Sequence, residues 1–213
     1  MDSVKQYLEQ ILPKQEDWMV SFEQYANEHQ IPIMEPVSMN FLTQLIRIYK
    51  PKQILEIGSA VGYSALRMHE AFPESNIVTI EKNKNMYEIA LANISNQQNE
   101  KHIEVIFGDA LEKIEQLTEQ NKKFNFIFID AAKAQYKRYF EIVQRIISND
   151  GIIVCDNILF KGLVTKHNCT PNNRLQKLAN KIHLFNTWLS NQKNYQTTFL
   201  PIGDGVSVSI KIK

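Results

Sequence analysis

The sequence predicts an α/β fold, a seven-stranded, mostly parallel sheet with helices on both faces and a helical cap at the N-terminus. Three observations carry this expectation. From residue 53 onward short apolar runs alternate with amphipathic stretches of helical length, the pattern of successive βαβ units. Several of those runs end on glycines or carboxylates rather than on further apolar sequence, as strands do where they open onto a ligand site. A chain of 213 residues, 44% hydrophobic and 22% charged, is long enough to bury one full sheet between helix layers. A single domain over 1–213 is expected, with 1–50 as the cap and 51–213 as the core.

Taken in order, the first fifty residues read as helices near 2–12, 15–29 and 36–49, interrupted by Pro13 and by Ile31-Pro32-Ile33. Strands follow at 53–57, 77–81, 103–107, 124–130 and 151–156, separated by helices near 62–71, 83–95, 110–119 and 135–147. An Asn-rich, lysine-containing loop (157–173) leads to a helix near 174–191. Two strands at 195–202 and 205–212 close the chain, and the Asp-Gly pair of Gly203-Asp204-Gly205 between them signals a tight hairpin.

No apolar run approaches the roughly 18 residues of a membrane span, which excludes a helical membrane protein. Met1-Asp2-Ser3-Val4-Lys5 lacks the basic-then-apolar layout of a signal peptide, so a cytoplasmic protein is expected. The cysteines, Cys155 and Cys169, lack the spacing of a zinc site or redox pair, and Cys155 reads as a small buried thiol. The net charge of +1 hides a division. Residues 1–132 hold 12 basic against 19 acidic side chains, a balance of −7, and residues 133–213 hold 12 against 4, a balance of +8. Either solvated helix faces or a positive surface for a polyanion would account for it.

Three strand ends carry the candidate chemistry. The first is Glu56-Ile57-Gly58-Ser59-Ala60-Val61-Gly62-Tyr63-Ser64, where Gly58 and Gly62 permit a tight turn and the next helix begins near Ser64 with its free N–H groups toward a ligand. This is not the dinucleotide fingerprint, and the acidic Glu56 argues against a pyrophosphate and for a ligand with positive charge. Glu81, 25 residues on, stands where an acidic side chain takes ribose hydroxyls, and Gly108-Asp109-Ala110 could read an adenine edge. Adenosine with a cationic centre describes S-adenosylmethionine. The other two ends, Asp130 and Asp156-Asn157, lie on neighbouring strands about 5 Å apart and make a hard-oxygen set suited to Mg²⁺. Helix-capping and turn roles are the alternatives for the same residues. Lys133, three residues past Asp130, can reach the same substrate oxygens and take a hydroxyl proton or hold the oxyanion.

With these motifs in place, the chain resembles, over essentially its full length, the Mg²⁺-dependent class I O-methyltransferases of the catechol and caffeoyl-CoA type. The resemblance implies a Rossmann-like class I methyltransferase fold and S-adenosyl-L-methionine and Mg²⁺ as cofactors. It implies Asp130, Asp156 and Asn157 as metal ligands and Lys133, with Asp130, as catalytic. Glu56, Gly58, Ser64, Glu81, Asp109, Ala110 and Asp130 match cofactor-contacting positions, and Met34 with Val37 match the segment on the methionine end. The animal catechol enzymes read Asp-His-Trp-Lys where this chain has Asp130-Ala131-Ala132-Lys133, so an aromatic wall is missing.

The chain looks most similar to the bacterial branch that methylates 5-hydroxyuridine at the wobble position of tRNA, giving 5-methoxyuridine. A basic surface of Lys137, Arg138, Lys161, Lys166 and Arg174, with Lys177 and Lys181, would meet the anticodon loop, and Tyr136, Tyr139 and Phe160 could stack an unpaired base. The expected partners are therefore tRNA and, by the resemblance, a second copy of the chain, with neither DNA nor a membrane. A small-molecule methyltransferase for catechols or a caffeoyl-CoA-type ester would use the same chemistry without the basic surface. A cofactor-binding module without catalysis would not need Asp130 or Lys133, and both are present.

Overall fold

The computed structural model describes residues 2–166 and 174–212, apart from the side chains of Asp2 and Lys166. The cap consists of α1 (Asp2–Gln10), α2 (Asp17–Glu28) and α3 (Pro36–Tyr49). Pro36, whose missing N–H costs nothing in a first turn, starts α3, and Lys50 ends it in the left-handed conformation. The core then runs β1 (Gln53–Ile57), α4 (Tyr63–Ala71), β2 (Asn76–Glu81), α5 (Lys84–Asn96), β3 (Ile103–Phe107), α6 (Ala110–Glu119), β4 (Phe124–Ile129), α7 (Tyr136–Val143), β5 (Ile147–Cys155), α8 (Arg174–Ser190), β6 (Tyr195–Leu200) and β7 (Val206–Lys211).

The seven strands form one sheet in the order β3-β2-β1-β4-β5-β7-β6. β1 to β5 are parallel, and β7 is antiparallel to both β5 and β6, so the sheet is mixed and mostly parallel. Alternate residues of the central strands feed two cores. Ile54, Phe126, Phe128, Ile152 and Val154 pack with α2 to α5, whereas Leu55, Ile57, Ile127, Ile129, Ile153 and Cys155 pack with α6, α7 and α8. Strands buried on both faces read as continuous apolar runs, which is why no alternation marks them in the sequence.

Three boundaries differ from expectation. The helix expected over 135–147 is a 3₁₀ turn (Lys133–Gln135) followed by α7, which stops at Val143. Ile146 and Ile147 continue the apolar period of the helix, but they serve β4: the Phe124 N–H donates to the Ile146 carbonyl (2.9 Å) and Ile147 pairs with Phe124. β5 therefore begins before 151 and shifts register between Phe124 and Phe126. The closing hairpin is not tight either. Residues 201–205 link the strands, and the carbonyls of Asp204 and Gly205 accept from the N–H groups of Leu159 and Ile158, tying this link to the loop after β5. Of the expected loop 157–173, residues 163–166 form a 3₁₀ turn, and 167–173, with Cys169, lie outside the described residues. Cys155 is buried, and burial pushes its thiol up to about 12.

Candidate active site

The carboxyl ends of β1 to β5 open onto one cavity of about 1180 Å³, lined also by the cap and by the 201–204 link. That exceeds the 300–1000 Å³ or so of a pocket for a single drug-sized ligand, and leaves room for two reactants.

The wall after β1 is set by backbone geometry. Gly58 has φ +95°, and a Cβ there would stand 2.2 Å from the Asp130 carbonyl oxygen, so the close approach of β1 and β4 at their ends requires glycine. Ser64 lines the cavity and its hydroxyl donates to Glu56, whose other oxygen accepts from the Thr79 hydroxyl (2.5 Å). Glu56 itself does not line the cavity. It is 0% exposed, one layer behind Ser64, and burial pushes its carboxyl up to about 7 against the two hydroxyl donors. The expected direct contact of Glu56 with the ligand is corrected accordingly: it sits one residue from Ile57 but on the face of β1 turned into the core.

Glu81, at the end of β2, lines the cavity and anchors its own wall. Its oxygens accept the N–H groups of Ala60 (3.0 Å) and Asn83 (2.7 Å), and each retains a lone pair for a ligand hydroxyl. After β3, Gly108 and Ala110 line the cavity but Asp109 does not. The Asp109 carboxylate accepts from the Leu111 N–H (3.0 Å) through Oδ1 as the N-cap of α6. Val37, in the first turn of α3, and Met34, just before that helix, line the cavity.

Asp130 and Asp156 each lie one residue past a strand end, on adjacent strands β4 and β5. Asp156 is 2% exposed, and burial followed by the charge of Asp130 pushes its carboxyl up to about 8. Burial raises Asp130 too, opposed by the nearby Lys133. Asn157 adopts a left-handed φ of +56°, which turns the chain so that consecutive residues can face one point. Its N–H donates to Asp156 Oδ1 (2.7 Å), and its Oδ1 accepts from Lys133 Nζ (2.7 Å). Tyr136 holds the base of this centre by donating its hydroxyl to the Asp156 carbonyl (2.9 Å). Among the described residues no three His, Cys, Asp or Glu side chains form a ligand cluster, so any ion here rests on two carboxylates and an amide.

The expected basic surface is gathered only in part. Lys161 lines the cavity rim, with its backbone N–H donated to the Asp204 carboxylate. Lys137, Arg138 and Arg174 are exposed outside the cavity, with Lys137 over the Trp188 ring (5.3 Å) and 3.8 Å from Glu141. The Lys166 side chain lies outside the described ones. Tyr136 is 1% exposed and belongs to the core rather than to a stacking surface, whereas Tyr139, 4% exposed, packs in the same core and also lines the cavity. Their apolar bodies pack beneath the sheet end. Phe160 does line the cavity. Sequence reading missed Tyr63, Asn83 and Asp204, all on the cavity wall. Asp204 was visible only as a turn residue, because its place at the site depends on β7 inserting beside β5.

A Rossmann-like sheet, a cavity at its carboxyl edge and a glycine turn backed by an acidic second strand end define a nucleoside-cofactor transferase of the class I methyltransferase kind. The family model for O-methyltransferases matches residues 9–212, and the chain belongs to that family. It is 34% identical to a caffeoyl-CoA O-methyltransferase of Populus kitakamiensis over 172 residues, 79% of this chain and 73% of the relative. Among solved structures, a candidate caffeoyl-CoA O-methyltransferase from Staphylococcus aureus is 34% identical with a TM-score of 0.90, covering 97% of this chain and 98% of that one. A Podospora anserina methyltransferase bound to SAH is 26% identical with a TM-score of 0.86, covering 100% and 94%. The chain is thus an S-adenosylmethionine-dependent O-methyltransferase of the caffeoyl-CoA type. No helix among the described residues is long and apolar enough to cross a membrane.

Proposed function

We propose that the protein methylates one hydroxyl of a vicinal oxygen pair on an aromatic ring, with a divalent ion such as Mg²⁺ held by Asp130, Asp156 and Asn157. The observation that supports this is the pair of carboxylates at adjacent strand ends, beside an amide already bonded to Lys133. Burial raises both carboxyls, and the charge of Asp130 raises Asp156 further. A divalent cation offsets that repulsion, and an all-oxygen donor set suits Mg²⁺, so the residues fit the ion. When bound, the ion supplies Lewis acidity and a template for two neighbouring oxygens.

The chain's own residues do the rest. Glu81, Gly58 and Ser64 hold the adenosine side and Met34 and Val37 the methionine side. Lys133, held on Asn157, takes the proton of the acceptor hydroxyl or, as an ammonium, holds the oxygen left behind. The oxygen lone pair forms the C–O bond as the C–S bond breaks, and the bonding electrons leave with the sulfur, which becomes a neutral thioether.

Two acceptors satisfy this chemistry. A small catechol, such as a caffeoyl ester, is favoured by the name of the Populus relative. 5-Hydroxyuridine in a tRNA anticodon loop, whose O4 and 5-hydroxyl are ring neighbours, is favoured by the +8 balance of residues 133–213 and by the small Ala131-Ala132 wall. Purified protein assayed on a caffeoyl ester and on tRNA bearing 5-hydroxyuridine separates them, together with nucleoside analysis of tRNA from cells lacking the protein. Methylation of the ester alone, with 5-methoxyuridine intact in those cells, removes the tRNA reading; the reverse pattern removes the catechol one. Excess EDTA is expected to abolish turnover on either acceptor and Mg²⁺ to restore it, and full activity in chelator would defeat the metal assignment.

A further inference from the structure

The turn that carries the cofactor wall, 58–64, is held from three sides. From the sheet, the Gly58 N–H donates to the Ile80 carbonyl (2.9 Å). From α5, Asn93 Nδ2 donates to the Val61 carbonyl (2.9 Å). The third hold comes from outside the core. Tyr63, the first residue of α4 and part of the cavity wall, donates its hydroxyl to Glu23 Oε1 on α2 (2.5 Å).

That hydroxyl has no rotational freedom left. It accepts from Arg67 Nη1 (2.7 Å) while donating to Glu23, so Arg67 decides which way the hydrogen points. Arg67 is 7% exposed, its guanidinium lies 5.5 Å from the Tyr63 ring centre, and its Nε has no partner among the described residues. Burying a guanidinium with an unpaired N–H is costly, and the return visible here is the orientation of one phenol. The ring itself stacks on Phe22 of α2 (5.8 Å, 28°).

We propose that α2 belongs to the cofactor-binding apparatus, with Glu23 and Tyr63 as positioning residues that fix the N-terminus of α4 and hence the cavity wall. The inference rests on the cavity binding S-adenosylmethionine and adds a function to the cap. Fixing the first turn of α4 fixes its free N–H groups and the Ser64 hydroxyl, so loss of the link weakens cofactor binding without touching the chemistry of transfer.

Calorimetric titration with SAH and steady-state kinetics on the full-length protein test it. Tyr63→Phe keeps the stacked ring and removes only the hydroxyl. It is expected to weaken SAH binding and raise the cofactor KM by about three- to tenfold, with kcat at saturation within about twofold of wild type. Glu23→Ala is expected to match it, the double variant to be no worse than either single one, and Glu23→Gln, which keeps an acceptor oxygen, to restore binding. A Tyr63→Phe protein that binds SAH as tightly as wild type overturns the proposal, as does a Glu23→Ala protein with a lowered melting temperature and unchanged affinity. Failure of the wild-type protein to bind SAH would instead overturn the cofactor reading itself.

Discussion

In the proposed reaction Lys133 carries the proton step, held beside the candidate ligands 2.7 Å from Asn157 Oδ1. Lys133→Ala is expected to lower kcat by about 10²-fold or more while SAH affinity stays near wild type, as measured by single-turnover assay and calorimetry. A rate close to wild type would reduce the lysine to a bystander. Glu56 makes a second prediction, about stability. Its carboxyl goes from 4.5 to about 7 on folding, so between those values the folded chain holds more protons than the unfolded one. Stability from this group is fully present below about pH 4.5 and falls as pH rises toward 7, by on the order of 3 kcal/mol. Urea unfolding of metal-free and cofactor-free protein should show that decline, and Glu56→Gln should make it shallower. The sequence revealed Glu56 as an acidic residue before a glycine turn, but whether it faces ligand or core depends on strand parity and on Ser64 and Thr79 closing over it.

Among the elements, the β1–α4 turn is the most demanding. Gly58 and Gly62 both have positive φ, yet their surroundings differ. A Cβ on Gly58 would collide with the Asp130 backbone at 2.2 Å, whereas one on Gly62 would meet the Ala90 side chain at an ordinary 3.4 Å. Gly62→Ala is therefore expected to cost about 1–2 kcal/mol, the strain of the left-handed conformation alone. Gly58→Ala should cost about 3 kcal/mol or more and disturb the cavity wall after β1 and the Asp130 strand end together, because relieving the clash separates the ends of β1 and β4. Equal losses in denaturant unfolding would contradict this contrast. The α7–β5 junction was hidden for a related reason. Ile146 and Ile147 fit the period of a helix as well as that of a strand, and pairing with Phe124 decides between them.

Across the whole molecule, the polar ends of the parallel strands share one edge of the sheet, and the charge balance shifts from −7 to +8 as the chain crosses from β4 to the 3₁₀ turn that carries Lys133. Lys137 and Arg174 lie outside the cavity and cannot touch a small acceptor held within it. If tRNA is the acceptor, Arg174→Glu should slow its methylation and leave methylation of a catechol unchanged. Affinity for RNA should also fall linearly in log–log terms with salt, by about 0.7 for each phosphate neutralised on a single strand. Indifference of the tRNA reaction to both treatments would leave the charge division a matter of solvated helix faces.

By itself the sequence determined the α/β class, the order of elements, the parallel run of strands and the strand-end positions of Glu81, Asp130, Asp156 and Asn157, with Lys133 three residues past Asp130. All of these follow from local periodicity and from the rule that open sheets bind ligands at their carboxyl edge. Only the tertiary structure decided that Glu56 stands behind the wall, that Asp109 caps α6, that Tyr136 is core, and that Asp204 and Tyr63 belong to the cavity. Those outcomes depend on which side of a strand or helix meets another element far along the chain. Antiparallel insertion of β7 beside β5 brings Asp204 to the site, and packing of α2 on α4 brings Glu23 to Tyr63, and neither contact leaves a periodic trace in the residues that make it.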